Sequence, residues 1–187
     1  MAAVLREIET IREVRRICCE DGPLYRELKD LLNSVRVRLP KRIPEYAQWQ
    51  RPWGDTFDEI PGLCVAPDRT WKTASGDSIC VVLAVPLDLA DPEDGDDPWV
   101  GIYLPSDLPR REVLIPLLEA RIPDGFTNVH PGLNPDPDWP LWRYISLRRF
   151  AGSERFETAQ FLDAICEAFQ ALLPLRGVID EFLRQRR

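Results

Sequence analysis

Histidine is nearly absent: the 187 residues contain one, His130. No site built on several imidazoles is available, and only one side chain has an ordinary pKa close to neutrality. Cysteine is sparse and odd in number, with five copies and no Cys-x-x-Cys pair. That argues against both a disulfide scaffold and a structural zinc site. Long apolar runs are missing too. The longest, Ile79 to Val85, is far too short to cross a bilayer. No charged-then-apolar leader opens the chain, so the expectation is a cytoplasmic protein without a membrane segment. The ten glycines are scattered singly. There is no phosphate loop, no dinucleotide fingerprint and no Gly-x-Ser-x-Gly elbow.

What is present is globular in composition, with 44% apolar and 29% charged residues, and its charge is segregated. Residues 1–51 hold 11 Lys and Arg against 8 Asp and Glu; residues 52–140 hold 5 against 17; residues 141–187 hold 8 against 6. A strongly acidic middle therefore lies between two mildly basic ends. Such a middle repels nucleic-acid phosphates and attracts a basic protein surface. Proline follows the same division, with 16 of its 18 copies between Pro40 and Pro140. Because proline lacks the amide donor and clashes inside a helix, long helices are expected at the ends of the chain.

Periodicity agrees. Val4, Ile8, Ile11 and Cys18 lie along one helical face, and after Gly22-Pro23 a stripe of Leu24, Leu28, Leu31 and Val35 predicts a second helix that buries one side. At the other end Phe161, Leu162, Ile165, Cys166, Phe169, Leu172 and Leu173 make a wide stripe. Pro174 interrupts it, and Leu175, Val178, Ile179, Phe182 and Leu183 resume it. Ser153 is the expected N-cap of that segment, with Glu154 and Glu157 in its first turn.

Between these ends, Leu63–Val65 is a short strand candidate. Ser78–Val85, continuous and β-branched, predicts a central strand buried on both faces. Trp99–Leu104 returns as its hairpin partner across an acidic turn, and Leu141–Phe150 is a further strand. Arg111–Ala120 is a helix candidate despite Pro116, while Pro40–Gly62 reads as irregular. The expected fold class is α+β: a small, mainly antiparallel sheet covered by N-terminal and C-terminal helices. It divides into an N-terminal helical arm or hairpin over 1–39 and an α+β domain over 40–187.

The unusual content is six tryptophans, at 49, 53, 71, 99, 139 and 142. Most are expected to fill the core. An exposed indole rimmed by carboxylates suits a basic protein partner and suits a polynucleotide badly. Trp49, Trp53, Trp99 and Trp139, with Asp94, Asp96 and Asp97 of the acidic stretch, are the candidate partner-binding residues. No cofactor, metal site or catalytic residue is assigned.

Two other readings compete. A metal-assisted hydrolase would use Asp136, Asp138 and the acids at 91–97, although their spacing does not match a calcium loop. A structural dimer would pair the N-terminal helices through Leu24, Leu28, Leu31 and Val35. His130 has no convincing thiol partner, since Cys80 sits inside the central strand. Glu27-Leu28-Lys29 matches a short nuclease element but falls on a helix, where Leu28 belongs to the apolar stripe.

The order of features also carries a family likeness. An N-terminal helix leads to Trp71-Lys72, the apolar strand 79–85, a strand with Gly101-Ile102, the cluster Trp139-Pro140-Leu141-Trp142-Arg143 and a pair of apolar helices. From about residue 60 onward this resembles the C-terminal region that follows the catalytic core in some bacterial PD-(D/E)XK nuclease-superfamily proteins, of the type linked to defence against foreign DNA. The nuclease core itself is missing. The resemblance implies an accessory or recognition module, a subunit or regulator in a defence or toxin-neutralising system, and it carries over no catalytic residue.

Overall fold

A computed structural model describes residues 23–46, 50–53, 62–66, 71–72, 78–85, 97–128, 137–150 and 157–185. The fold is α+β. Five strands, β1 (Gln50–Trp53), β2 (Gly62–Val65), β3 (Cys80–Ala84), β4 (Trp99–Tyr103) and β5 (Leu141–Tyr144), form one sheet in the order of the chain. Every neighbouring pair is antiparallel. The helices are α1 (Pro23–Arg42), α2 (Arg111–Glu119), α3 (Thr158–Leu172) and α4 (Arg176–Arg184).

β3 is the middle strand, as its unbroken apolar run predicts. All five of its residues are buried, because the sheet is covered on both sides there. Contrary to the expectation of an irregular segment over Pro40–Gly62, β1 lies within it. Its pairing with β2 defines it, since Pro52 and the polar Gln50 and Arg51 give no apolar run to read. It occupies a sheet edge, where the missing proline donor costs least. The last strand is shorter than the apolar pattern suggests: β5 ends at Tyr144, and Leu147–Phe150 winds into a 3₁₀ turn. The outer edge of β5 is partly capped, because Thr127 and Trp142 exchange two backbone hydrogen bonds of 2.9 and 3.0 Å.

α1 begins at Pro23, where a fixed φ suits a first turn, and runs through Pro40 to Arg42. Val35, Leu39 and Ile43 enter the core, and α1 packs against α3 and β2. Asp163 of α3 holds the two helices together from outside, accepting from Arg38 at 2.8 Å and Arg42 at 2.7 Å. α3 starts at Thr158, later than a cap at Ser153 predicts. Glu157 takes the N-cap position without a side-chain hydrogen bond, and Ser153 lies outside the described residues. Its apolar stripe is spent as the spacing predicts: Phe161, Leu162, Ile165, Cys166, Phe169 and Leu172 are all buried, and α3 lies against β3 and β4. Pro174 sits in a 3₁₀ turn, Leu173–Leu175, that redirects the chain into α4. α4 packs against α2.

The first candidate helix, with Cys18 and Cys19, lies outside the described residues, as do His130, Trp49, Asn134, Asp136 and the acids from Asp91 to Asp96. Leu24, Glu27, Leu28 and Trp53 are placed by backbone only. Among the described residues, no helix is long and apolar enough to cross a membrane.

Candidate functional site: an aromatic sheet face

Register decides which side chains share a face. Trp99, Gly101 and Tyr103 alternate to one side of β4. Opposite them on β5 stand Tyr144, facing Trp99, and Trp142, facing Gly101. The intervening Val100 and Ile102 point the other way and are fully buried. One face of the β4–β5 pair is therefore aromatic, and the other carries Val100, Ile102 and Leu141 with Arg143 opposite Val100.

Gly101 permits this arrangement. A Cβ at that position would lie 2.6 Å from the Leu141 carbonyl oxygen and 3.0 Å from the Trp142 Cβ. Without it the two strands approach closely, with the buried Trp142 directly opposite the glycine.

A fifth ring joins from outside the strand. Extending the alternation of β5 backward would send Trp139 to the same side as Leu141. The chain instead bends at Pro140, and the Trp139 ring meets Trp99 edge-to-face at 4.4 Å and 86°, and Tyr103 at 5.1 Å and 52°. Two polar contacts hold the bend in place. The Leu104 amide donates to the Asp138 carbonyl at 2.9 Å, and the Asp138 carboxylate is ion-paired with Arg111 at the start of α2. Both partners of that pair are only part-exposed, so it is worth more than an open surface pair. Of the five rings, Trp142 is sealed in, while Trp99, Tyr103, Trp139 and Tyr144 are each partly open to solvent.

Asp97 lies two residues before Trp99 and is part-exposed. The Ile145 amide donates to the Pro98 carbonyl at 2.7 Å, so the ladder continues one residue past Trp99. In sequence, Asp97 ends the stretch 91–97, which carries five carboxylates and no Lys or Arg.

Of the seven sequence-derived candidates, the structure brings together Trp99 and Trp139, and Asp97 lies two residues before Trp99. Trp53 lies on edge strand β1, and Trp49, Asp94 and Asp96 lie outside the described residues. Tyr103, Tyr144 and Arg111 belong to the site and carried no flag in a reading that counted indoles. The spacing Trp99-x-Gly101-x-Tyr103 and Trp142-x-Tyr144 is the signal that finds them, because period two places all four aromatics on one face. The remaining described indole, Trp71, is buried in the core.

The other chemistry considered from sequence finds these surroundings. The carboxylate of Asp138 is engaged by Arg111. Among the described residues, no three His, Cys, Asp or Glu side chains gather in a way that suits a metal ion. Cys64, Cys80 and Cys166 are buried and not in disulfides, and burial pushes the Cys166 thiol up from its ordinary range, against an opposing pull from Arg42 and Arg38. Val35, part of the stripe considered for a helix-mediated dimer, is buried in the chain's own core. A second apolar patch lies on α2, which buries Leu114 and Leu118 and leaves Val113 and Leu117 each 40% exposed.

No family model matches the chain, and no curated protein or solved structure gives a significant match.

Proposed function

We propose that this chain is a non-catalytic interaction module that docks a basic protein partner on the aromatic face of β4 and β5. The observation that carries the reading is the set of four part-exposed rings, Trp99, Tyr103, Trp139 and Tyr144, on one face of the β4–β5 pair. Large aromatics supply contact area at little entropic cost and anchor interfaces. Carboxylates supply the long-range field that steers a cationic surface toward them and turns a phosphate backbone away. The acidic stretch 52–140, which supplies Trp99, Tyr103 and Trp139 of this face, fits that division of labour. The likeness of residues 60 onward to the accessory region of defence-associated nucleases supports a role as a subunit or regulator, including one that masks a basic nuclease or toxin.

The test uses the full chain and its genomic neighbours. Each basic neighbour product is purified and its association followed by stopped flow, with wild type and with Trp99→Ala and Trp139→Ala. A true partner binds wild type saturably, and each variant loses about tenfold or more in affinity, the scale of an aromatic anchor. Its association rate also falls steeply as salt rises from about 50 to about 500 mM. Binding that ignores both indole variants overturns the reading.

A further inference from the structure

The outward side of α2 complements itself. Its rows at i, i+4 spacing make two ridges, Glu112–Pro116–Ala120 and Val113–Leu117–Arg121, and all six side chains are exposed. The inward side is already spent, with Leu114 and Leu118 buried in the core. The rows stay regular to their ends: the Val113 amide donates to the Arg110 carbonyl at 2.9 Å, the Ala120 amide to the Pro116 carbonyl at 3.0 Å and the Arg121 amide to the Leu118 carbonyl at 2.9 Å. Turned end for end, one ridge sets Glu112 against Arg121, Pro116 against Leu117 and Ala120 against Val113. Opposite charges meet at the ends and apolar side chains meet between them. We propose that two copies of the chain pair through this face, their α2 helices crossing about a two-fold axis that passes between Pro116 and Leu117. A two-fold interface requires one patch to complement itself, so that residue i of one copy meets residue j of the other and j meets i. A partner of different sequence imposes no such symmetry on this chain. Interdigitated i, i+4 ridges are the commonest helix packing, here with the axes about 50° from antiparallel, and that crossing lays the two ridges side by side. The Arg121 guanidinium is held at its ridge end by donating from Nη1 to the Leu117 carbonyl at 3.1 Å, and the rest of its donor fork suits a carboxylate. A nine-residue helix is only about 13 Å long. The patch therefore falls short of the ~800 Å² per partner of a standard interface, and the pairing is weak, with a dissociation constant on the order of 100 µM. None of the six residues belongs to the aromatic face, so pairing and docking are independent.

Sedimentation velocity of the full-length chain reads the pairing from ~5 to ~500 µM at ~150 mM salt, which screens the long-range repulsion between two acidic copies more than it screens ion pairs in contact. Wild type is expected to move from monomer toward dimer across that range. Glu112→Arg and Arg121→Glu each set like charges against one another at both ends of the interface, and each should weaken dimerisation by about tenfold. Mixed in equal amounts, the two variants should pair about as well as wild type, because every charged contact in the mixed dimer again joins opposite signs. The doubly swapped chain, Glu112→Arg with Arg121→Glu, should regain pairing with itself. Leu117→Gln removes the apolar centre and should weaken the dimer by about tenfold or more. All these positions are exposed, and thermal unfolding of each variant confirms that the fold is retained. A chain that stays monomeric at ~500 µM overturns the proposal and leaves the stripe to solvent or to a different protein. A dimer that survives both charge reversals or Leu117→Gln overturns it as well, since the contact would then lie on another surface. So does failure of the mixed variants and of the swapped chain to pair, because the end-for-end register predicts that both recover.

Discussion

Trp71 donates its indole N–H to Oδ1 of Asp180 at 2.7 Å, linking residues 109 apart in sequence. The indole is almost fully buried, and its backbone carbonyl accepts from the Ile79 amide at 2.9 Å, at the entry to the central strand. Asp180 sits on α4, with Arg176 one turn earlier at 3.4 Å. The last helix is thereby tied to the start of β3 by one oriented bond as well as by packing.

Removing the acceptor leaves a buried donor without a partner, which is costlier than the bond is worth. Asp180→Ala is therefore expected to destabilise the fold by about 1–3 kcal/mol. Asp180→Asn keeps a carbonyl acceptor and should lose less. Urea denaturation reads the difference as a lower midpoint at unchanged slope. Equal midpoints for wild type and Asp180→Ala would show that the bond contributes nothing.

Two glycines should respond to alanine with opposite signs. At Gly101 the new Cβ would meet the Leu141 carbonyl at 2.6 Å. That atom is backbone and cannot swing aside, so the β4–β5 pair must separate, at about 1–3 kcal/mol. At Gly177, inside α4 and exposed, an added Cβ meets nothing within 4 Å. There Gly→Ala removes only the entropic penalty of glycine in a helix and should stabilise by about 0.5–1 kcal/mol. Thermal unfolding of the two variants side by side checks both signs.

Asp163 accepts from Arg38 and Arg42 with one oxygen, Oδ1, and the three side chains are between a third and a half exposed. Solvent screens such a cluster, so its worth is small despite good distances. Asp163→Asn is expected to cost about 0.5–1 kcal/mol at low ionic strength, with the cost shrinking as salt approaches ~0.5 M. A salt-independent penalty would mean that packing of α1 on α3, and not charge, is what the substitution disturbs.

Much of this fold was legible in the sequence because period and composition agree there. The unbroken run 79–85 marks the central strand, and the stripes on α1 and α3 mark helices that bury one side. β1 was not legible. Gln50, Arg51 and Pro52 have neither strand propensity nor alternation, and the segment is a strand only because β2 offers it an open edge. The start of α3 is not legible, because Ser153 has the right chemistry for a cap while Glu157 takes the N-cap position without capping. For the candidate site, the indoles were visible as a composition anomaly. Their meeting was not, because Trp139 reaches Trp99 and Tyr103 through a bend at Pro140 that strand alternation alone would forbid. Tyr103 and Tyr144 were within reach of a period-two reading, whereas the contact of Arg111 with Asp138 depends on where α2 is placed.

Tyr46 gives the fold a weakness to alkali. Its hydroxyl donates to the Phe169 carbonyl at 3.1 Å, and its ring packs edge-to-face on Phe169 at 5.6 Å, fully buried. Burial raises the phenol well above its ordinary 10.0, Glu45 adds to the rise, and Arg176 partly opposes it. The charged form is thus disfavoured in the native state and free to form in the unfolded chain. Below pH ~10 both states hold the proton and stability is unaffected. Above it the unfolded chain loses the proton first, so stability falls by up to about 1.4 kcal/mol per pH unit until the folded group titrates. Tyr46→Phe removes the titration and also the hydrogen bond, at about 1 kcal/mol near neutrality. The variant should therefore be less stable than wild type at pH ~7 and lose less between pH ~9 and ~11. The Cys166 thiol, also pushed up by burial, is common to both proteins and cancels in the comparison. Urea midpoints across that range measure the crossing, and parallel alkaline losses in the two proteins would show that Tyr46 is not the group responsible.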